Sequence, residues 1–244
     1  YLDRTGGGGI VFDLENLPPE SLPNFRKLLA ATRAAFAPQH RLVAVTMPID
    51  SRDWKPRDFA PVADRLILMA YDEHWQGGQA GPIASSGWFA DRVARAVSGL
   101  PQGKAIIALG SYAYDWHDGK ADSLTVEEAW LAAHDSAATP QFLPAAGGSG
   151  FAYEDNGHRH DVWMLDAASS WNQFRMLSRI GATDVALWRL GSEDPGFWNA
   201  LDSWRRGGRP DLSKIAQQSN VDVEGQGEIL KIAAVPQAGL RDVT

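Results

Sequence analysis

Several absences narrow the classes of protein to which this 244-residue chain can belong. It contains no cysteine, which excludes a disulfide framework, a zinc ribbon and a thiol nucleophile. It has no run of about 20 apolar residues, the length that a membrane-spanning helix needs. Its formal net charge of −7 argues against a nucleic-acid partner, because phosphate binding requires a basic surface. With 44% hydrophobic residues, the composition is that of an ordinary globular protein.

Tryptophan, in contrast, is abundant, with ten residues. Those near predicted strand ends and in the following loops are Trp54, Trp75, Trp88, Trp116, Trp163 and Trp188. Because aromatic faces stack on the apolar C–H faces of sugars, the pattern is typical of a carbohydrate site. For any single tryptophan, filling the core is the better interpretation.

Short apolar runs alternate with helical stretches. The runs cover residues 9–13, 41–47, 65–71, 104–109 and 184–188, and helices are predicted over residues 22–36, 87–98 and 170–180. Continuous apolar strands separated by helices predict a parallel sheet with helices on its outer side. We therefore expect an α/β protein of the (β/α)8 barrel type, although five strands are visible. A doubly wound sheet is the alternative. In that fold a dinucleotide site needs a glycine-rich turn after a strand, whereas the glycine cluster at residues 6–9 comes before the first predicted strand.

Residues 1–210 are predicted to form the barrel part of the chain. Within it, residues 125–168 are predicted to be an insertion with strand character beside the mouth of the barrel. Residues 211–244 are predicted to form an extension that leads out of the barrel. There, residues 224–232 have the pattern of a turn followed by a lone strand.

The strongest local motif is formed by Asp13 and Glu15, at the end of the first apolar run. Residues two apart on a strand point to the same face, so the two carboxylates are expected to be neighbours. A proton shared between adjacent carboxylates raises the pKa of one of them, as a general acid requires. Surface acids or a metal site are the alternatives that this motif alone leaves open.

Further candidate site residues follow the other runs. Tyr71, Asp72 and Trp75 follow the third run, Tyr112 and Trp116 the fourth, and Trp188 ends the fifth. His158, His160 and Asp161 could be metal ligands, but histidines on a polar loop are more often solvated.

In this order, the motifs resemble glycoside hydrolase family 18, the chitinase family, over about residues 9–204. Asp13 and Glu15 match the last D-x-E of the family's D-x-x-D-x-D-x-E signature at strand four, although Gly8 and Val11 replace its first two acids. Residues 69–72 resemble M-x-Y-D at strand six, and residues 109–112 and Trp188 resemble parts of strands seven and eight. Residues 69–85 and 160–163 are similar to a bacterial branch that includes spore-cortex and peptidoglycan-associated hydrolases.

The resemblance implies that the chain holds strands four to eight of the barrel and a C-terminal extension, with strands one to three supplied by an upstream segment. Residues 224–236 are similar to a region in large bacterial proteins that fuse such a domain to a polysaccharide deacetylase and a membrane glycosyltransferase. This second resemblance implies that further polysaccharide-modifying domains are fused to the chain. It also implies an extracytoplasmic location, with membrane association through those domains.

The activity that the resemblance implies is retaining, substrate-assisted hydrolysis of glycans that contain β-linked N-acetylglucosamine, namely chitin oligomers, peptidoglycan or an exopolysaccharide. Glu15 would be the acid, Asp13 would orient the substrate acetamido group, and Tyr71 would hydrogen-bond its oxygen. The implied substrate-binding residues are Asp72, Trp188, Tyr112, Trp75 and Trp116. No metal or cofactor is needed.

A catalytically silent, chitinase-like carbohydrate-binding domain is the main alternative. Proteins of that kind typically lose the acid, so Glu15 favours an enzyme, whereas the missing upstream acids favour the binding protein. A domain that only scaffolds attached catalytic domains is a third interpretation.

Overall fold

The computed structural model describes residues 2–208, 220–223 and 228–231. The helices are α1 (Leu2–Thr5), α2 (Leu22–Phe36), α3 (Pro56–Phe59), α4 (Ser86–Val97), α5 (Val126–Asp135), α6 (Ala167–Ile180) and α7 (Gly196–Arg205). The strands are β1 (Gly9–Phe12), β2 (Leu42–Pro48), β3 (Arg65–Met69), β4 (Ala105–Gly110), β5 (Ala113–His117), β6 (Lys120–Leu124), β7 (Gln141–Leu143), β8 (Gly148–Asp155), β9 (His158–Met164), β10 (Val185–Trp188), β11 (Asn220–Val223) and β12 (Glu228–Lys231). Short 3-10 helices, Pro19–Ser21 and Ala37–Gln39, flank α2.

The chain divides into two compact units. The first comprises Tyr1–Ala70, Asp91–Ala108 and Ile180–Ala186, and the second comprises Tyr71–Ala90, Leu109–Arg179 and Leu187–Thr244.

The main sheet has the strand order β1-β2-β3-β4-β10. Strands β1 to β4 pair in parallel with their immediate neighbours, as the alternation of apolar runs and helices predicts. The helices predicted over residues 22–36, 87–98 and 170–180 are confirmed as α2, α4 and α6, with ends that differ by less than one turn.

The two faces of this parallel sheet are buried to different extents. On β2, Val43, Val45 and Met47 are fully buried, while the residues between them are half-buried. Strand β3 repeats the pattern, with Leu66 and Leu68 on the buried side.

Aromatic packing contributes to the first unit's core. Helix α2 directs Phe25 against Phe12 of β1, with ring centroids 6.0 Å apart, and against Trp54 at 5.9 Å. Trp54 in turn stacks on Phe59 of α3 at 5.2 Å. The core beneath α2 and α3 is therefore rich in aromatic rings.

The second unit contains an antiparallel sheet with the strand order β6-β5-β9-β8-β7. One face packs on α5, whose Trp130 is fully buried in a cluster with Ala113, Val162 and Met164. Helix α5 begins with a capping box, in which Thr125 accepts a hydrogen bond from the Glu128 backbone N–H and Glu128 accepts one from that of Thr125.

Strands β7, β8 and β9 lie in the segment predicted to be an insertion, but β5 and β6 of the same sheet precede it. The assignment of residues 125–168 as an insertion, and of residues 1–210 as one domain, stays a prediction. None of the helices among the described residues has both the length and the hydropathy to cross a bilayer.

The prediction of a lone strand in the tail is wrong. Strand β12 pairs antiparallel with β11, with Asn220 opposite Lys231 and Val223 opposite Glu228. A single strand leaves its backbone donors and acceptors without protein partners, and pairing satisfies part of them. The predicted turn at residues 224–227 and the remainder of the predicted extension at 211–219 and 232–244 lie outside the described residues.

Candidate active site

Asp13 and Glu15 follow β1 at the carboxyl edge of the parallel sheet, in the first unit. The register places Phe12 beside Val45, so that Asp13 comes next to Thr46 of β2. The Thr46 hydroxyl donates to Asp13 Oδ1 at 2.6 Å and lies 3.3 Å from the Phe12 carbonyl oxygen. Both carboxylate residues are exposed. One carboxylate is thus oriented by a hydroxyl, and the other follows it in a turn that is open to solvent; that they share a proton stays a prediction.

Tyr71 and Trp188 come together in the second unit. Tyr71 follows β3 and is half-buried, and Trp188 ends β10 with 46% of its surface exposed. Their rings are nearly parallel, with an interplanar angle of 18° and centroids 6.5 Å apart. Tyr71 also meets Tyr112 edge-on at 6.1 Å. The two residues therefore form an aromatic surface that remains accessible on the Trp188 side.

Asp72 is held by two tyrosine hydroxyls. Its Oδ1 accepts hydrogen bonds from Tyr112 at 2.5 Å and from Tyr114 at 3.2 Å. Its backbone is left-handed, with φ at 64°, a conformation that is uncommon for non-glycine residues but more frequent for aspartate. Burial, and then the negative charge of Asp72, raise the pKa of both tyrosines above the ordinary value, so both remain protonated donors.

Gly110, at the end of β4, lies against this group. A Cβ there would be 2.7 Å from Tyr112 Cε1, 2.8 Å from Leu165 Cδ1 and 3.2 Å from Tyr71 Cβ. Only a residue without a side chain therefore lets both tyrosines occupy their observed positions.

Trp75 lies on a loop that follows Asp72 and is 57% exposed. The loop is fixed by backbone and side-chain bonds: the Glu73 N–H donates to Ile83 O at 2.8 Å, and the Glu73 carboxylate accepts from the Ser85 N–H at 2.6 Å. Gln76 adds a bond from its side-chain amide to Ala121 O at 2.8 Å. The loop thus presents one exposed indole from a well-bonded backbone.

Tyr112 and Trp116 are buried in the second unit. The Tyr112 hydroxyl donates a hydrogen bond to Asp72. The Trp116 ring packs edge-on against that of Tyr114, with centroids 5.3 Å apart. Their contacts are with the protein itself, and their predicted role in substrate binding stays a prediction.

Sequence reasoning missed Tyr114, Glu73 and Thr46. Tyr114 was open to detection, because it lies two residues after Tyr112 and a strand places both on one face. The contacts of Thr46 and Glu73 depend on strand register and loop closure, which no local motif shows.

The histidines considered as metal ligands point to different partners. His158 Nδ1 lies 2.6 Å from Asp118, His160 Nδ1 lies 2.9 Å from Asp115, and Asp161 binds Arg159 at 2.7 Å. Alternation along β9 places Asp161 on the opposite face from both histidines. Among the described residues, no group of three histidine or acidic side chains is arranged to hold a metal ion.

No family model matches the chain. The chain is similar to an uncharacterized glycosylase, YvbX, of Bacillus subtilis, with 27% identity over 207 residues that cover 79% of this chain and 60% of the relative. It is also similar to the cortical fragment-lytic enzyme of Bacillus anthracis, with 23% identity over 215 residues, 82% of this chain and 50% of the relative. The chain thus spans 50–60% of the length of these two relatives.

Solved structures with the same fold include a chitinase from Chromobacterium violaceum. It has a TM-score of 0.77 and 25% identity, over 84% of this chain and 68% of that one. The Bacillus cereus spore cortex-lytic enzyme SleL has a TM-score of 0.76 and 24% identity, over 82% of this chain and 49% of that one. The parallel sheet and its helices are therefore part of a (β/α)8 barrel, which confirms the predicted fold class.

Proposed function

We propose that this chain, a relative of the chitinase-like glycosylases of family 18, hydrolyses glycosidic bonds in glycans that contain β-linked N-acetylglucosamine. The resemblance of its motifs to that family is confirmed by a glycosylase relative and a chitinase structure. The observation that carries the proposal is the acid pair after β1, where Thr46 orients Asp13 at 2.6 Å and Glu15 is exposed two residues further on. Catalytic groups of (β/α)8 enzymes lie at this carboxyl end of the strands.

The proposed chemistry is a retaining, substrate-assisted hydrolysis. Glu15 donates a proton to the glycosidic oxygen as the C1–O bond breaks, and the carbonyl oxygen of the substrate's own 2-acetamido group bonds to C1. The leaving sugar departs with that proton. Water then attacks C1 of the cyclic intermediate, its proton passes to Glu15, and the acetamido group is restored. In this scheme Asp13, oriented by Thr46, hydrogen-bonds the acetamido N–H and stabilises the positive charge.

Residues of the second unit have supporting roles in the proposal. The Tyr71 hydroxyl hydrogen-bonds the acetamido oxygen, and Trp188 provides an apolar floor beneath the sugar ring. The nearly parallel rings of these two residues support this assignment. Asp72 fixes the start of the Trp75 loop through Tyr112 and Tyr114, and Trp75 adds an exposed aromatic face for a neighbouring sugar.

Peptidoglycan is one candidate source of the substrate, because one relative is named a cortical fragment-lytic enzyme. Chitin oligomers and exopolysaccharides are others, and action on any cell-wall glycan implies a location outside the cytoplasm. We also propose that an upstream segment completes the barrel, because Ile10 and Val11 of β1 are exposed at the edge of the parallel sheet. Fusion to further polysaccharide-modifying domains remains part of the proposal.

The test is hydrolysis of N-acetylglucosamine oligomers by the protein together with the upstream segment proposed above, and by the Glu15→Gln variant of that protein. The amide keeps the shape of the side chain but donates no acidic proton, so turnover should fall by about 10²-fold or more. Oligomer binding should remain. Glu20→Gln, an exposed glutamate in the 3-10 helix before α2, is the matched control and should leave turnover unchanged.

Val11, which stands where the family signature has an acid, favours a second candidate, a carbohydrate-binding protein without turnover. Binding of the oligomers by the unmodified protein without any hydrolysis would contradict the hydrolase proposal and support this candidate.

A further inference from the structure

A groove crosses the antiparallel sheet of the second unit at its β7 edge. Its volume is about 350 Å³, within the roughly 300–1,000 Å³ typical of small-molecule sites. The register places Gln141 of β7 opposite Gly150 of β8, and Gly150 opposite Trp163 of β9. Directly opposite residues share a face, so these three positions form one row across the groove.

The floor of the groove consists of small residues. Gly150 and Ala152 occupy successive positions on the same face of β8. A Cβ on Gly150 would lie 2.8 Å from Val162 O and 3.4 Å from Trp163 Cδ2. The Val162 carbonyl oxygen therefore leaves no space for a side chain at position 150, and the bare β8 backbone there leaves a trough beside the indole ring.

The walls combine an aromatic ring with polar groups. Trp163 is half-buried on one side, and Gln141 is exposed on the other. Next to Trp163 on the same face of β9, Asp161 accepts two hydrogen bonds from the Arg159 guanidinium, at 2.7 and 3.2 Å. An indole face, a carboxylate and an amide are groups that recognise the C–H face, hydroxyls and acetamido group of a sugar.

The charges of the groove favour a neutral sugar. Opposite Arg159 on β8 lies Glu154, so this face carries two carboxylates, those of Glu154 and Asp161, and one guanidinium. The net negative charge opposes a ligand that bears its own carboxylate, such as muramic acid.

We propose that this groove is a binding site for a neutral N-acetylglucosamine unit of the glycan, formed by residues other than those proposed for catalysis. The identity of the sugar rests on the proposed function, whereas the groove itself is built from contacts within the antiparallel sheet. Trp163 provides the stacking face, Asp161 and Gln141 bind polar groups of the sugar, and Ala152 leaves room for the ring.

The experiment is a titration of protein labelled with ¹⁵N-tryptophan in the Glu15→Gln background, so that ligand is not hydrolysed. The probe is the disaccharide of two N-acetylglucosamine units, and the signal is the Trp163 indole N–H, assigned by its loss in Trp163→Phe. The resonance should shift saturably. Ala152→Leu, which fills the floor at an exposed position, should weaken binding by about tenfold or more. Ala34→Leu, at an exposed alanine of α2, is the matched control and should have no effect.

A second disaccharide, in which muramic acid replaces one N-acetylglucosamine, tests the charge argument. It should bind roughly fivefold more weakly, and Glu154→Gln should reduce that difference. Equal or tighter binding of the muramic disaccharide, or an Ala152→Leu variant that binds normally, would overturn the proposal. A Trp163 resonance that does not respond to the disaccharide would also overturn the proposal. If the unmodified protein still hydrolyses oligomers, that result would leave the hydrolase proposal intact.

Discussion

The two sheets of this protein bury their faces differently. The parallel sheet buries one face on β2 and β3, through residues such as Val45 and Leu66, whereas Val11 on its first strand is 51% exposed. The antiparallel sheet is covered on both faces over its central strands: Val162 packs beneath α5, and Trp116 lies in a second buried cluster.

The acid pair and Asp72 differ in the same way in their access to water. The acid pair lies at the end of an open strand, where a carboxylate is oriented by one hydroxyl and water has access. Asp72, in contrast, receives two hydroxyls that are largely withdrawn from water. Changes near the parallel sheet's open end should therefore alter activity at little cost in stability, while changes to the buried partners of Asp72 should alter stability.

Three valine-to-alanine substitutions test this contrast most strongly. Val162→Ala, in the antiparallel sheet, and Val45→Ala, on the buried face of the parallel sheet, should each reduce the free energy of unfolding by about 2 kcal/mol, because each leaves a cavity. Val11→Ala should change it by less than about 0.5 kcal/mol. Denaturant unfolding checks the series, and a large effect of Val11→Ala would show that another segment covers this face.

Removal of one hydroxyl from Asp72 should have the next largest effect. Tyr112→Phe leaves the carboxylate with one fewer donor and should cost about 1.5 kcal/mol of stability. Burial, and then the charge of Asp72, raise the pKa of Tyr112 above its ordinary value of 10.0. Its contribution is therefore complete below pH 10 and is lost as pH rises towards the folded-state pKa. Unfolding measured from pH 8 to 11 should show a steeper loss of stability in the unmodified protein than in Tyr112→Phe.

Thr46→Val should affect activity more than stability. The substitution keeps the shape of the side chain but removes the donor to Asp13, so kcat should fall by about tenfold if Asp13 orients the substrate. Thermal unfolding should change little, since Thr46 is only half-buried. Unchanged kcat would show that the position of Asp13 is determined by other contacts.

The smallest expected effect concerns His117 at the end of β5. Hydrogen bonds to Asp122, and more weakly to Asp118, raise the pKa of His117 above its ordinary value of 6.5. The stability that this provides is present below pH 6.5 and is lost as pH rises through the folded-state pKa. In an NMR titration, Asp122→Asn should lower the pKa of His117 more than Asp118→Asn does.

The parallel sheet and its helices were predictable because each strand is a continuous apolar run bounded by a helical pattern. Strands β5 and β6 were not, because both faces of β5 are buried and its sequence from Ala113 to His117 mixes apolar, acidic and aromatic residues without alternation. Its partner β9 also lies far along the chain, and no local signal shows that pairing.

For the candidate site, the motifs predicted functional roles for Asp13, Glu15, Tyr71 and Asp72. They did not reveal that Asp72 interacts with Tyr114, or that Thr46 donates to Asp13. Both contacts join residues that only the strand register and the packing of the unit bring together. Local patterns therefore gave the candidate site residues, whose roles stay predictions, but not the partners that orient them.

The requirement for glycine at position 110 bears on how the protein can evolve. In the proposed hydrolase, loss of catalysis does not have to begin at Glu15. A single methyl group at position 110 would press on Tyr112, Leu165 and Tyr71, while the acid itself remained in place. A descendant of such a hydrolase that binds glycans without cleaving them would then retain both Asp13 and Glu15, and alanine at position 110 would account for the lost turnover.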